Sequence, residues 1–342
     1  MARLGKNFIA GLGFVLLSAC GPELIEKPID LVWPNPPGTP QVKYLRSLSQ
    51  ADDFDSGRSW LEALVPKKTA WALKSPYGVT TDHQGKIYVT DKEQGGVWVF
   101  EPNDKKVSFL GAVGSVKLSQ PVGISVGASG VVFVSDIGLK RIFGFNSEGK
   151  LVLALGQKDE FDTPSGLAVD LPSARLYVAD TRKHKVRVYN SNDGTFLFEF
   201  GQAGRKDGEF NFPTNLFIRN GEIYVSDSVN SRIQIFALNG KFLKKFGAGE
   251  SGPVKFARPR GVAVDSEGRI YVADALLNNL QVFDGEGKLL FRIGASGDGP
   301  GSFALPAGVH IDEEDRIYVV DSFNRRIQLF QSLEKSRIAK SR

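Results

Sequence analysis

Three kinds of side chain in this 342-residue chain could do chemistry: its 3 histidines, its 1 cysteine and a set of regularly spaced aspartates. The histidines are His83, His184 and His310. Imidazoles that converge from separate segments can hold a catalytic zinc, which needs about three such ligands around one point and an open fourth position. Cys20 has no second thiol to pair with, so a disulfide within the chain is excluded. No Ser-His-Asp or Cys-His nucleophile set can be assembled, and no Gly-Lys-Ser/Thr phosphate loop occurs. Gly247-Ala-Gly-Glu-Ser-Gly252 has Gly-x-Gly-x-x-Gly spacing, but it follows an outermost strand and leads through Pro253 and Pro259 into another strand. A dinucleotide site needs a helix there, so this stretch reads as a loop between structural units.

The aspartates place those groups in a frame. Asp91, Asp136, Asp180, Asp227, Asp274 and Asp321 recur roughly every 45 residues, each closing a short apolar strand. The stretch RPRGVAVDSEGRIYVADALLNNLQVFDGEGKLLFRIG, Arg258 to Gly294, shows one whole unit. A unit opens on Pro-x-Gly or a near variant, runs an apolar strand to an Asp, and turns through Gly or a polar cluster. A second strand, a third ending in Phe or Tyr and a fourth ending in Gly follow. Val, Ile, Tyr and Phe fill the strands as a pleated buried surface favours. Four strands at that period bury their faces only against neighbouring copies, the pattern of propeller blades. The repeat aspartates stand before polar hairpins and are expected to accept turn N–H bonds as structural residues. Asn230 with Arg232, and Asn324 with Arg326, are expected to brace the same turns.

RIYVADALLNNLQVF (Arg269–Phe283), EIYVSDSVNSRIQIF (Glu222–Phe236) and RIYVVDSFNRRIQLF (Arg316–Phe330) resemble the NHL repeat, and the resemblance runs from Ser75 to Phe330. It implies an all-β chain: a six-bladed β-propeller of four-stranded blades. The sixth copy stops after its third strand, and Gln41-Val-Lys-Tyr-Leu-Arg-Ser-Leu-Ser49 has the pattern of the missing fourth. An N-terminal strand at residues 41–50 should therefore close the last blade, pairing two otherwise open edges. Peptidyl-hydroxyglycine lyases are similar six-bladed NHL propellers, with zinc held in the channel by histidines from different blades. Here His83 falls in a first hairpin, His184 in a second hairpin and His310 within a first strand. Those phases predict different heights and radii, so neither a metal site nor a cofactor is expected.

Residues 1–19 read as a targeting segment: Arg3 and Lys6 precede an apolar run, Phe8 to Leu17, too short to span a bilayer. Leu17-Ser-Ala-Cys20 resembles a bacterial lipobox, which implies cleavage before Cys20 and its lipidation. Two or three acyl chains would hold the protein firmly on a membrane. Gly21, in place of Asp, is compatible with outer-membrane sorting, so the expected location is the periplasmic side of the outer membrane or the cell surface. Residues 20–40, with prolines from Pro22 to Pro40, read as an extended tether. Residues 51–74 break the repeat, and Trp60, Leu61, Leu64 and Val65 have the spacing of a short amphipathic helix. Residues 331–342 form a polar, basic tail.

A formal charge of +5 does not by itself imply a nucleic-acid partner. NHL propellers of animal regulators bind RNA through a basic face, but an exported chain argues against that partner. The charge is nevertheless uneven. Hairpins between second and third strands open on one face with the inter-blade loops, and carry Lys92, Lys140, Arg141, Arg182, Lys183, Lys185, Arg232, Arg258, Arg260, Arg325 and Arg326. The opposite turns carry Asp82, Asp170, Asp265, Asp312, Asp315 and neighbouring glutamates. One basic and one acidic face are predicted. The residues within Pro-x-Gly should ring the channel mouth, and copy four replaces its glycine by Asn215. Tyr77, Asn215 and Arg260 there, with Arg182, Lys183, His184 and Arg325 on the loops, are the candidate binding residues. The expectation is a monomeric, lipid-anchored, non-enzymatic propeller that binds or scaffolds an envelope protein or an anionic glycan through its basic loop face. The alternative is a metal-dependent lyase or hydrolase of the peptidyl-hydroxyglycine lyase type.

Overall fold

Strands such as Ile-Tyr-Val-Ala-Asp274 offer almost nothing polar to water on either side, so they settle only where both faces are covered. A computed structural model describes residues 30–50, 71–104, 106–113, 116–247 and 256–333. In them the strands form six antiparallel sheets, the blades of a propeller around a central channel, and one two-stranded ribbon, Ala112–Val113 with Val116–Lys117, between blades 1 and 2. From the channel outward, blade 1 is Pro76–Thr81, Ile87–Asp91, Gly96–Glu101 and Lys106–Leu110. The inner strands of blades 2 to 6 are Pro121–Val126, Pro164–Asp170, Pro213–Arg219, Pro259–Val264 and Pro306–Ile311.

The N-terminal strand closes the ring. Val42–Leu48 pairs antiparallel with the third strand of blade 6, Arg326–Ser332, in the register Val42↔Ser332, Tyr44↔Phe330 and Leu48↔Ile327. Blade 6 goes one strand further: Val32–Trp33 pairs outside Val42–Leu48, and the Trp33 ring meets Phe330 edge-on at 5.7 Å. The tether expected through Pro40 is thus docked from Leu31 onward, because Leu31 and Trp33 are apolar and cover the same core. The expected signal segment, the lipidated Cys20, the short helix at Trp60–Val65 and most of the basic tail lie outside the described residues.

The core is divided among the seams. One apolar cluster joins blades 3 and 4 through Tyr177, Val188, Phe210 and Phe236; another joins blades 6 and 1 through Leu48, Val79, Ile87, Tyr318 and Ile327. Inner strands approach backbone to backbone, which explains the Pro-x-Gly glycine. A Cβ on Gly123 would stand 1.9 Å from the Ser165 carbonyl oxygen, and one on Gly78 would stand 2.3 Å from that of Val122. No side chain fits there.

Leu48 has no exposed surface and belongs to the blade 6–1 seam. Leu48→Ala should lower the unfolding free energy by about 2–5 kcal/mol in urea titrations. A loss well under 1 kcal/mol would show that the closing strand is dispensable to the ring.

Candidate functional site

The repeat aspartates are fully buried and spend their oxygens on backbone N–H groups. Asp91 accepts from the N–H of Lys74, Ser75, Glu93 and Gln94; Asp274 accepts from Ala257, Arg258, Leu276 and Leu277. Asp136, Asp180, Asp227 and Asp321 take the N–H groups of Gln120, Thr163, Asn211 and Ala304 in the same way. Each carboxylate ties a hairpin to the segment that enters the inner strand, so hairpins and inter-blade loops share one face.

That face is less basic than its composition. Arg232 donates from Nε to Asp227 at 2.7 Å and from its other nitrogens to the carbonyls of Arg205, Lys206 and Glu209, and it is buried. Arg326 repeats this with Asp321 and the carbonyls of Asp298, Gly299 and Ser302. Both brace their turns as expected, with Asn230 and Asn324 beside them, and are therefore not available as the surface cations that the charge pattern also counted. Lys183 turns back onto the carbonyls of Asp159 and Glu160, Lys140 pairs with Asp162, and Lys185 pairs with Glu199. His184 accepts from the Phe212 N–H through Nδ1 at 3.3 Å and meets the Phe212 ring, bracing blade 3 against blade 4. Arg182, Arg258 and Arg325 remain exposed, without an ion pair among the described residues.

The same face is apolar in a way the charge pattern hid. Its hairpins expose Phe323 (71%), Leu276 (58%), Val229 (44%), Leu277 and Leu139, and its inter-blade loops expose Leu305 and Phe212. Leu305 and Phe212 hold left-handed backbone at φ 51° and 57°, unusual for bulky side chains, each just before the proline that starts an inner strand. Each is pinned by the preceding blade: Asn278 Oδ1 accepts from Leu305 N–H as His184 does from Phe212.

The inner strands enclose a cavity of about 300 Å³ lined by blades 1, 2, 3, 4 and 6. At the hairpin end, Tyr77 has the Lys92 ammonium 4.5 Å and the Arg260 guanidinium 5.8 Å from its ring centroid. These two predicted residues do meet; Arg182, Lys183, His184 and Arg325 lie out on the loops. Toward the opposite end, His310 Nε2 and Thr81 Oγ1 share a hydrogen bond of 2.9 Å, and the Phe217 and Tyr318 rings flank the imidazole. Burial lowers the His310 pKa to about 4; Asp312 opposes that shift and Arg219 adds to it. His83 borders the cavity too, so two of the three histidines line one channel, which their different repeat phases did not predict. His184 does not join them, and no group of three or more potential metal ligands occurs among the described residues. Asp82, Asp265 and Asp312 at this end are not a free acidic face: they accept from the hydroxyls of Tyr88, Tyr271 and Tyr318, and Asp265 and Asp312 also pair with Arg269 and Arg316.

Asn215 marks the seam between blades 4 and 5. At four other seams hydroxyls stitch neighbouring blades: Thr90 donates to the Val122 carbonyl, Ser135 to that of Ser165, Thr181 to that of Pro213 and Ser322 to that of Pro76. On blade 4 the corresponding Ser226, Ser228 and Thr214 hydroxyls are buried without a hydrogen-bond partner among the described residues. Asn215, where the other blades have glycine, puts a side chain into the backbone approach that such stitching requires.

A family model described as a 6-bladed beta-propeller matches residues 142–246, 206–275 and 263–336. The chain belongs to that family. It is an NHL-type propeller, similar to NHL repeat-containing protein 2 of Gallus gallus at 38% identity over 78 residues, 21% of this chain and 11% of that protein. Peptidyl-glycine alpha-amidating monooxygenase B of Xenopus laevis is 28% identical over 180 residues, 48% of this propeller and 20% of the monooxygenase. The propeller spans 10% and 20% of the length of the first two curated relatives it matches. Virginiamycin B lyase from Staphylococcus aureus, solved with quinupristin, aligns at TM-score 0.58 and 14% identity over 75% of this chain and 94% of the lyase. That likeness shows the fold alone.

A folded-state pKa near 4 against an ordinary 6.5 means that the unfolded chain takes up the His310 proton first. Stability from neutral His310 should be complete above pH 6.5 and fall as pH drops toward 4, by about 3 kcal/mol in all. His310→Gln should flatten that slope in urea titrations. An imidazole that titrates near 6.5 by NMR in the folded protein would contradict this.

Proposed function

We propose that this propeller is a binding module of the cell envelope, anchored by a lipid on Cys20, whose hairpin face docks a protein partner. The observation that carries this reading is the apolar surface of blades 5 and 6. Phe323, Leu276, Leu277 and Leu305 stand exposed there, with Arg258 and Arg325 exposed on the same loops and hairpins. Large exposed apolar groups set among arginines mark protein contact surfaces. Left-handed Leu305 and Phe212 add to it, since the fold bears their backbone strain to keep apolar side chains outward. The fitting partner has an apolar centre rimmed by acidic groups, which the arginines would steer and align. NHL-repeat relatives are consistent with a protein-binding propeller.

A lyase or hydrolase is the second reading, favoured by the enclosed cavity with His310 hydrogen-bonded to Thr81 and by the match to an amidating monooxygenase. Stoichiometric zinc or calcium in the purified protein, lost in His310→Gln, would move the balance to it.

Cross-linking in membranes, followed by capture of the anchored chain, tests the docking face. Phe323→Ser combined with Arg325→Glu should cut recovery of the partner at least tenfold while leaving the thermal midpoint unchanged, because both side chains are exposed. Unchanged recovery would remove this face from the function. Cys20→Ser should release the chain from the membrane fraction, and retention there would overturn lipid anchoring.

A further inference from the structure

We propose that the hairpin end of the channel is a carboxylate-binding site built from Lys92, Arg260 and the ring of Tyr77. Both cations are half-buried and lie against the same aromatic ring, at 4.5 Å and 5.8 Å from its centroid. Neither has an ion pair or a side-chain hydrogen bond among the described residues. Asp91, the acid beside Lys92, is already committed to four backbone N–H groups and the Gln94 amide. Two like charges held together out of bulk water repel each other, and Lys92 shows it: burial first, then Arg260, lowers its pKa. A bound anion would relieve both costs.

The ring geometry brings the two cations to one aromatic ring. Blade 6 stands between blades 5 and 1, and its residue at this level is Ala307, the smallest side chain of the six positions other than glycine. Arg260 therefore reaches across it to Tyr77. The guanidinium offers a planar fork of N–H donors and the ammonium a compact point charge, which together match the two oxygens of a carboxylate. The N–H groups of Gly78 and Gly123 on the inner strands are held by hydroxyls, so the two side-chain cations would hold the anion. The carboxylate has two possible sources: a free small acid, or an acidic side chain of the partner proposed above. The second source rests on the docking reading, and the first does not.

Glutarate and its uncharged diamide are the probes, titrated into the Cys20→Ser chain by calorimetry, with Lys92 followed by NMR after reductive ¹³C-methylation. Saturable glutarate binding, absent for the diamide, is expected to weaken at least tenfold in Lys92→Gln and in Arg260→Gln. The Lys92 resonance should titrate at higher pH when glutarate is bound, a response that a merely structural lysine would not give. If glutarate fails but Lys92→Gln with Arg260→Gln lowers partner recovery tenfold in the membrane cross-linking experiment, the carboxylate comes from the partner. Failure of both overturns the site. Phe323→Ser with Arg325→Glu reports the outer face separately, so loss of the docking reading would leave the glutarate result standing.

Discussion

Every blade depends on one buried carboxylate. An aspartate at the end of the second strand leaves water entirely, a cost recovered only because several N–H groups converge on it. At Asp91, Asp136 and Asp274 those N–H groups belong to two different loops, the hairpin beyond the aspartate and the segment that enters the inner strand. The bond therefore fixes where each inner strand begins, and with it the height at which its first side chains meet the channel. Tyr77, Lys92 and Arg260 face one another because Asp91 and Asp274 set their strands at the same level. The extra clamps on Asp227 and Asp321, through Arg232 and Arg326, extend the same device to the loops outside it.

The fold was legible because it repeats. Pro-x-Gly, the paired apolar strands and the second-strand aspartate each appear in phase, and a missing fourth strand is conspicuous against five complete copies. The closing strand could be found for the same reason. Sites were harder to see, since a site is a departure from the repeat. Arg260 and Tyr77 were visible as odd residues at equivalent positions. Arg232 and Arg326 were legible as turn braces from their place beside Asn230 and Asn324, but nothing local says that each guanidinium would also hold the loop entering its own blade. His83 and His310 occupy different phases of the repeat yet border one cavity, because the channel is deep enough to take in both a strand and the turn after it.

The two ends of the ring differ in kind, not only in sign. At the end away from the hairpins, aspartates, tyrosine hydroxyls and arginines satisfy one another, and little remains for a partner. At the hairpin end the polar groups are consumed by loop bracing, and what is left outward is apolar side chains and a few unpaired cations. A surface of that composition gains from being covered. Between blades 4 and 5 the polar stitching lapses around Asn215, on the strand before the one that carries Arg260.

Closure by Val42–Leu48 also orders events in time. This strand is made before all six inner strands and its partner, Arg326–Ser332, only after blades 1 to 5, so through their synthesis the closing strand lacks the strand it pairs with in blade 6. Such an edge invites pairing with another chain. The wait ends only when all six blades are in place, which makes completion of the ring a single late step of high sequence separation, slow compared with hairpin formation within a blade. A propeller of this design is kinetically exposed until that moment, after which the third strand of blade 6 is paired on both sides.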